Sequence, residues 1–196
     1  MSTLLVQLRN LSIRSRNKML IEGVDVDVRP KRVTALCGPS GSGKSLTARA
    51  MMGVLDVYPG LTSGSLIYPP IDNSKDWFEG IVGSGFVGQQ TLLKQTKHLR
   101  GKYFTYSPQS ASSALNPGRT IGQQLKMAIE RREVPPSSYE EEIKRILSEV
   151  GLSPKVSMAI PAQLSGGMCQ RAALAIAVAP KPALVIADEP ETGLDP

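Results

Sequence analysis

The chain has 196 residues, which fits one domain or a domain with a small subdomain. Its 41% hydrophobic and 20% charged residues exclude a disordered chain, and no apolar run reaches the ~18–20 residues of a membrane-spanning helix. The net charge of +6 comes from basic residues that are spread along the sequence, so the charge alone does not favour nucleic-acid binding.

Three strands and a helix are predicted near the start of the sequence. Residues 4–13 alternate partly between apolar and polar side chains. Residues 21–28 alternate cleanly, which predicts a strand with one solvated face in an antiparallel or edge position. Residues 33–37 are apolar throughout, as in a strand that is buried on both faces, and Cys37 would be a small core side chain there. A glycine-rich turn follows, and residues 45–54 have a helical pattern.

The elements predicted after residue 58 are separated by more turns than those near the start of the sequence. Residues 58–99 contain several prolines and glycines, which predict short strands and turns. A strand is predicted at 101–106, and amphipathic helices at 120–132 and 139–150. Ser165 is the predicted N-cap of an apolar helix that runs to about residue 179, and residues 183–187 form a second buried strand.

The segment GPSGSGKS at 38–45 matches the phosphate-binding pattern G-x-x-x-x-G-K-[ST]. Glycines let backbone N–H groups approach phosphate oxygens, and the start of the following helix favours anions. Lys44 would place its charge beside the β- and γ-phosphates, and the Ser45 hydroxyl is a hard ligand for Mg²⁺. The predicted nucleotide-binding residues of this segment are Gly38, Pro39, Ser40, Gly41, Ser42, Gly43, Lys44, Ser45 and Leu46.

Two carboxylates follow the predicted strand at 183–187, at the end where parallel sheets bind ligands. Asp188 would hold Mg²⁺, usually through water, and Glu189 would orient or deprotonate an attacking water. A second anion site is indicated where Ser165, Gly166 and Gly167 open a helix, although a well-capped helix explains these residues equally well.

The segment LSGGMCQR at 164–171 resembles the signature sequence of ABC-type ATPases. The three motifs occur in the order phosphate loop, LSGGMCQR and ALVIADEP, and this order and its rough spacing are similar to those of the family. The resemblance extends over nearly the whole chain. GPSGSGKSLTARAMMGVL and SALNP (113–117) resemble the ATP-binding subunits of bacterial nickel and oligopeptide or dipeptide importers. The resemblance implies an α/β P-loop NTPase core with a small antiparallel β subdomain. A helical signature subdomain would occupy about 110–165 of a single domain at 1–196.

The resemblance implies further roles, with ATP and Mg²⁺ as cofactors. Gln109 has the position of the Q-loop glutamine, which would contact Mg²⁺ and the attacking water and link the site to a transmembrane subunit. An ordinary loop glutamine is the alternative. Lys44, Gln109 and Glu189 are therefore the predicted catalytic residues, and Ser45, Gln109 and Asp188 the predicted metal ligands.

The resemblance also implies a set of partners. Residues 192–195 resemble the D-loop that crosses a dimer interface, and the signature residues Ser165, Gly166 and Gly167 would close over ATP held by a second subunit. The implied active unit is a head-to-tail dimer, homomeric or heteromeric, on transmembrane permease subunits, with a substrate-binding protein as an indirect partner.

The expected location is cytoplasmic and peripheral on the membrane's cytoplasmic face. Two cysteines, Cys37 and Cys169, are too few for a disulfide scaffold, and residues 1–5 lack the pattern of a signal peptide.

The sequence also departs from the family pattern. Residues 11–18 contain no aromatic residue where the family stacks adenine, and Arg14 or Arg16 would have to replace it. The segment at residues 71–97 is longer than the corresponding segment usual in the family. The family continues past the D-loop to a switch histidine, whereas this sequence ends at Pro196 and its single histidine, His98, precedes the signature. We therefore expect His98 on a surface loop and the C-terminal part of the core missing, in a fragment or a truncated product.

Two alternatives to an importer ATPase remain open at this point. A truncated, non-catalytic remnant of such a subunit would explain the C-terminal departure. A soluble ABC-type ATPase that acts on nucleic acid or the ribosome would explain the +6 charge, but the sequence has no zinc-spaced cysteines and no coiled-coil insert.

Overall fold

The computed structural model describes residues 4–110 and 114–189. The chain divides into two compact units, residues 1–98 and residues 99–196. Each unit has its own sheet and its own helices.

The first unit contains a three-stranded antiparallel sheet. Its strands are β1 (Val6–Ser15), β2 (Met19–Val28) and β3 (Pro59–Ile67), in the order β2-β1-β3. The strands predicted at 4–13 and 21–28 are confirmed, and β2 lies at the edge, as its single solvated face indicated. The alternation of β1 is only partial because its register shifts between Leu8 and Leu11, which puts Val6, Leu8, Leu11 and Ile13 all in the core.

Two helices complete the described part of the first unit. The predicted helix at 45–54 is α1 (Lys44–Ala50), followed by turns, and Met51 and Met52 are buried beside it. The second helix, α2 (Gly85–Gln95), lies in the segment for which only short strands and turns were predicted. The prediction holds for β3, but it missed α2 because glycines 85 and 88 suggested turns, whereas Gly88 lies on the helix face that approaches Ile81 and Ser84 too closely for a Cβ.

The prediction of a buried strand at residues 33–37 is wrong. Val33 is 96% exposed, Cys37 is exposed, and the segment belongs to no strand. An apolar run indicates a preference for burial, but a strand forms only where neighbouring strands take its N–H and C=O groups. In the described part of the chain, no strand pairs with this segment after Lys31, whose positive φ of 57° follows the end of β2.

In its described residues, the second unit contains a two-stranded parallel sheet and three α-helices with described bounds. β4 (Phe104–Ser107) pairs with β5 (Leu184–Ala187) in the register Phe104↔Leu184 to Ser107↔Ala187. The strands predicted at 101–106 and 183–187 are thus confirmed as strands. The predicted burial of β5 is wrong in part, because only Ile186 of β5 lies in the core. The helices are α3 (Ile121–Ile129), α4 (Tyr139–Glu149) and α5 (Gly166–Val178), with short 3₁₀ turns at Pro154–Met158 and Pro161–Gln163.

The three predicted helices of the second unit are confirmed, and their ends are capped by side chains. Thr120 caps α3 in a reciprocal capping box with Gln123, and Ser138 accepts a hydrogen bond from the first turn of α4. The apolar faces of the helices form one core cluster that extends from Leu115 to Ala179. No helix in residues 4–110 and 114–189 combines the length and apolar character that crossing a membrane requires.

Candidate functional site

The phosphate loop lies in the first unit and turns through glycines in the left-handed region. The φ angles of Gly41 and Gly43 are 78° and 92°, values that favour glycine. A Cβ on Gly43 would also lie 2.8 Å from Cγ1 of Ile21, so the loop approaches β2 more closely than a side chain allows. The residues from Gly38 to Ser42 are exposed to solvent, and those from Gly43 to Ser45 are half-buried.

Lys44 begins α1, and its side chain turns back over the loop. Its Nζ donates hydrogen bonds to the carbonyl oxygens of Gly38 and Pro39, at 2.9 and 3.0 Å. These contacts hold the ammonium group at the mouth of the loop, where it can exchange carbonyl oxygens for phosphate oxygens. Ser45 follows on α1, and Leu46 is buried beneath it, so Leu46 anchors the helix by packing.

The acidic pair lies in the second unit, directly after β5. The backbone N–H of Asp188 donates to the carbonyl of Ser107 at 2.9 Å, which extends the parallel ladder one residue past the strand. Because the ladder continues, the carboxylates of Asp188 and Glu189 emerge beside the carboxyl end of β4, at the edge where parallel sheets bind ligands.

Side chains from the end of β4 contact both carboxylates. Gln109 donates from Nε2 to Oε2 of Glu189 at 2.5 Å, although the two residues are 80 positions apart in the sequence. Tyr106 donates from its hydroxyl to Oδ2 of Asp188 at 2.9 Å. Glu189 has a φ of 45°, an uncommon conformation for a non-glycine residue and one that occurs often at functional sites.

The structure therefore brings Gln109, Asp188 and Glu189 together, as the sequence predicted for one site. Tyr106 was missed because its position has the pattern of a strand residue. Its sequence position carried no signal of this contact, because Tyr106 shares a strand face with the buried Phe104.

The signature residues form the N-terminus of α5. The Ser165 hydroxyl accepts from the backbone N–H of Met168 at 3.3 Å, so the predicted N-cap is confirmed. Ser165 and Gly166 are exposed, Gly167 is half-buried, and a Cβ on Gly166 would meet open space. The cap uses the serine oxygen as an acceptor and leaves its O–H able to donate to an anion.

The predicted magnesium ligands suit that ion in their chemistry. Ser45, Gln109 and Asp188 offer a hydroxyl, an amide carbonyl and a carboxylate, which are the hard oxygen donors that Mg²⁺ binds beside phosphates and waters. Within the two described ranges, no group of three or more His, Cys, Asp and Glu side chains could hold a metal by itself.

The other residues that the sequence singled out are also placed. Arg14 and Arg16 are exposed near the β1–β2 turn, and the Arg16 guanidinium lies 5.3 Å from the ring centroid of Tyr58. His98 is exposed in a turn, as predicted, 6.1 Å from the Trp77 ring. Residues 192–195, the predicted D-loop, and Ser113 of the SALNP run lie outside the described residues.

The two cysteines differ in their surroundings. Cys169 is buried in α5, where burial raises the pKa of its thiol and the Sγ atom lies 3.6 Å from the carbonyl oxygen of Pro161. Cys37 is exposed directly before the phosphate loop, which contradicts the predicted core position. The reason is the absence of a strand at residues 33–37.

Comparison with known proteins connects these features. The family model described as ABC transporter matches residues 21–192. The chain is 37% identical over 190 residues to the oligopeptide transport ATP-binding protein OppD of Lactococcus lactis subsp. cremoris (strain SK11), covering 93% of this chain and 51% of OppD. It is 33% identical over 178 residues to the dipeptide transport ATP-binding protein DppD of Escherichia coli (strain K12), covering 89% of this chain and 50% of DppD. The chain thus spans about half the length of these relatives.

Solved structures show the same architecture. The dimeric structure of MJ0796, a bacterial ABC transporter cassette, superposes with a TM-score of 0.74 at 21% identity, over 97% of this chain and 76% of that one. CbiO1 from Clostridium perfringens, part of the transporter complex CbiONQ, gives a TM-score of 0.68 at 21% identity, over 98% and 68% of the two chains. At these identities the likeness concerns the fold alone, and it confirms the predicted α/β cassette with its small antiparallel sheet.

Proposed function

The chain belongs to the ABC transporter family, and from this premise we propose that it is an ATP-binding and ATP-hydrolysing subunit that powers a membrane importer of oligopeptides or dipeptides. The observation that carries the ATPase part is the contact of Gln109 with Glu189 beside Asp188 at the strand ends. The names of the relatives, OppD and DppD, support peptides before nickel as the transported substrate.

Nucleotide binding is assigned to the phosphate loop. Its backbone N–H groups and the start of α1 would bind the phosphates, and Lys44 would exchange two carbonyl contacts for the β- and γ-phosphate oxygens. Ser45, Gln109 and Asp188 would be the residues that hold Mg²⁺, and the ion would supply charge neutralisation on the phosphates.

Hydrolysis is assigned to the acidic pair. Glu189 is exposed and its carboxylate accepts the Gln109 amide, an arrangement in which a glutamate can accept a proton from an attacking water. Gln109 would position that water through its second amide hydrogen or its carbonyl oxygen. Asp188 would orient water in the magnesium shell.

The active unit is proposed to be a head-to-tail dimer of two such subunits, identical or different. Ser165, Gly166 and Gly167 are the exposed or half-buried end of α5, and they would contact the γ-phosphate of ATP bound to the partner. We propose permease subunits as the membrane partners, a peripheral position on the cytoplasmic face, and indirect dependence on a substrate-binding protein. The dimeric cassette structures support the assignment of a dimer.

The test compares two variants in the intact protein assembled with its partner subunits. Lys44→Ala should lose most ATP binding, because the loop then lacks its mobile positive charge. Glu189→Gln should keep ATP binding and abolish turnover, because the amide oxygen can still accept from Gln109 but cannot take a proton. Lys97→Ala and Glu133→Gln change exposed residues that are not among the predicted site residues, and they are the matched controls.

The outcomes separate the three hypotheses. Unaltered ATP binding by Lys44→Ala would refute the phosphate-loop assignment. A wild-type complex that binds ATP without turnover, with Glu189→Gln indistinguishable from it, would favour the non-catalytic remnant. Salt-dependent binding of DNA or RNA, with turnover that does not depend on a permease, would favour the soluble nucleic-acid ATPase.

A further inference from the structure

Tyr106 makes a contact that the motif pattern does not include. It is the third residue of β4, in register with Ile186 of β5, and its hydroxyl donates to Oδ2 of Asp188 at 2.9 Å. We propose that Tyr106 is a positioning residue that fixes the Asp188 carboxylate for Mg²⁺–ATP. This inference rests on the proposed function, since it gives Asp188 a partner within the same site.

The backbone alone does not fix that carboxylate. The N–H of Asp188 is held by Ser107, which sets the position of its Cα, but two side-chain torsions still separate the Cα from the carboxylate oxygens. A hydrogen bond from a phenolic O–H to a charged carboxylate removes this freedom, and such charge-assisted bonds are stronger than neutral ones. The Tyr106 ring is half-buried on its strand, so the hydroxyl is itself held in place.

The end of β4 therefore serves both members of the acidic pair. Tyr106 contacts Asp188, and Gln109, three residues further, contacts Glu189. The β4–β5 register sets both contacts, because Asp188 and Glu189 directly follow the paired residue Ala187. A group that holds a metal-binding carboxylate in this manner tunes metal affinity without touching the metal.

The experiment measures how nucleotide binding depends on magnesium. Wild-type and Tyr106→Phe proteins, intact and with their partner subunits, are titrated with a non-hydrolysable ATP analogue in EDTA and at increasing MgCl₂. Tyr106→Phe should raise the half-saturating Mg²⁺ concentration on the order of tenfold and leave the affinity in EDTA unchanged. Tyr139→Phe removes the same atom from a tyrosine that packs on the helical core, and should change neither quantity.

The magnesium dependence separates positioning from a merely structural role. An equal loss of affinity in EDTA and in MgCl₂, or a lowered melting temperature that accounts for the loss, would mean that the hydroxyl only supports the fold, and would overturn the inference. An unchanged magnesium dependence would overturn it as well while leaving the proposed function intact. If the wild type bound the analogue under neither condition, the proposed function would fail first.

Discussion

The substitution Glu142→Gln tests how the helical core holds the signature helix. The Glu142 carboxylate lies between Arg132, at 2.6 Å, and Arg145, at 2.7 Å, and the Arg132 side chain is only 6% exposed. Arg132 also donates from Nε to the carbonyl of Ala179, directly after α5, at 2.6 Å. Glu142 therefore connects α4 to the end of the helix that carries the signature residues.

The magnitude follows from the pKa of Glu142. Hydrogen bonds from Arg145 and Arg132, which outweigh burial, lower this pKa from 4.5 to about 2. At ~1.36 kcal/mol per pKa unit, the shift corresponds to about 3 kcal/mol of unfolding free energy at neutral pH. The substitution also leaves the buried Arg132 guanidinium without its counter-charge, and the loss of a buried charge pair has a cost of similar size, about 3 kcal/mol.

The assay is urea unfolding of wild type and Glu142→Gln as a function of pH. Because the folded pKa is depressed, the stabilisation is complete above about pH 4.5 and is lost as the pH falls towards 2, so the gap between the proteins should shrink over that interval. Glu149→Gln is the matched control, since Glu149 pairs with the same Arg145 but is 56% exposed, and it should cost less than ~1 kcal/mol. A gap that stayed constant between pH 5 and pH 3, roughly, would refute the electrostatic explanation and assign the loss to packing.

Three further outcomes are expected. Gly43→Ala forces a Cβ against Ile21 in a left-handed conformation and should cost about 2 kcal/mol of unfolding free energy, whereas wild-type stability in urea would contradict the close approach of the loop. Ser165→Ala removes the α5 cap and should cost about 1 kcal/mol, which calorimetry would detect; an unchanged melting temperature would mean that the cap contributes nothing to stability. Cys37 should react with a thiol reagent at least about tenfold faster than Cys169, and equal rates by mass spectrometry would contradict their difference in burial.

The elements that the sequence predicted well are those with a regular repeat of apolar residues and a recognisable capping residue. The strand at residues 21–28 and the helices α3 and α4 have strong amphipathic patterns and end at recognisable residues, Thr120, Ser138 and Gly151 among them. Local patterns suffice in such segments because each element buries one continuous face. α2 has no comparable face, and only Gly88, Gln89 and Leu92 are buried along it, so nothing in its sequence distinguished it from a turn-rich segment.

The apolar run at residues 33–37 shows a different limit of prediction. Its apolar composition indicates a preference for burial, but it does not indicate which strand would supply hydrogen-bonding partners. Pairing is a long-range property, and the same limit applies to β5, whose apolar sequence predicted full burial while most of its residues are half-buried.

The candidate site was predictable as a set of residue types and unpredictable as a set of contacts. A motif supplies Asp188 and Glu189 in the right order, but only the parallel register of β4 and β5 determines which side chains meet them. A shift of one residue along β4 would turn the Tyr106 hydroxyl to the other face of the sheet, and its hydrogen bond to Asp188 would be lost while the motif stayed intact. The motif thus identifies the chemistry, and the register decides whether the carboxylates are held in the geometry that this chemistry requires.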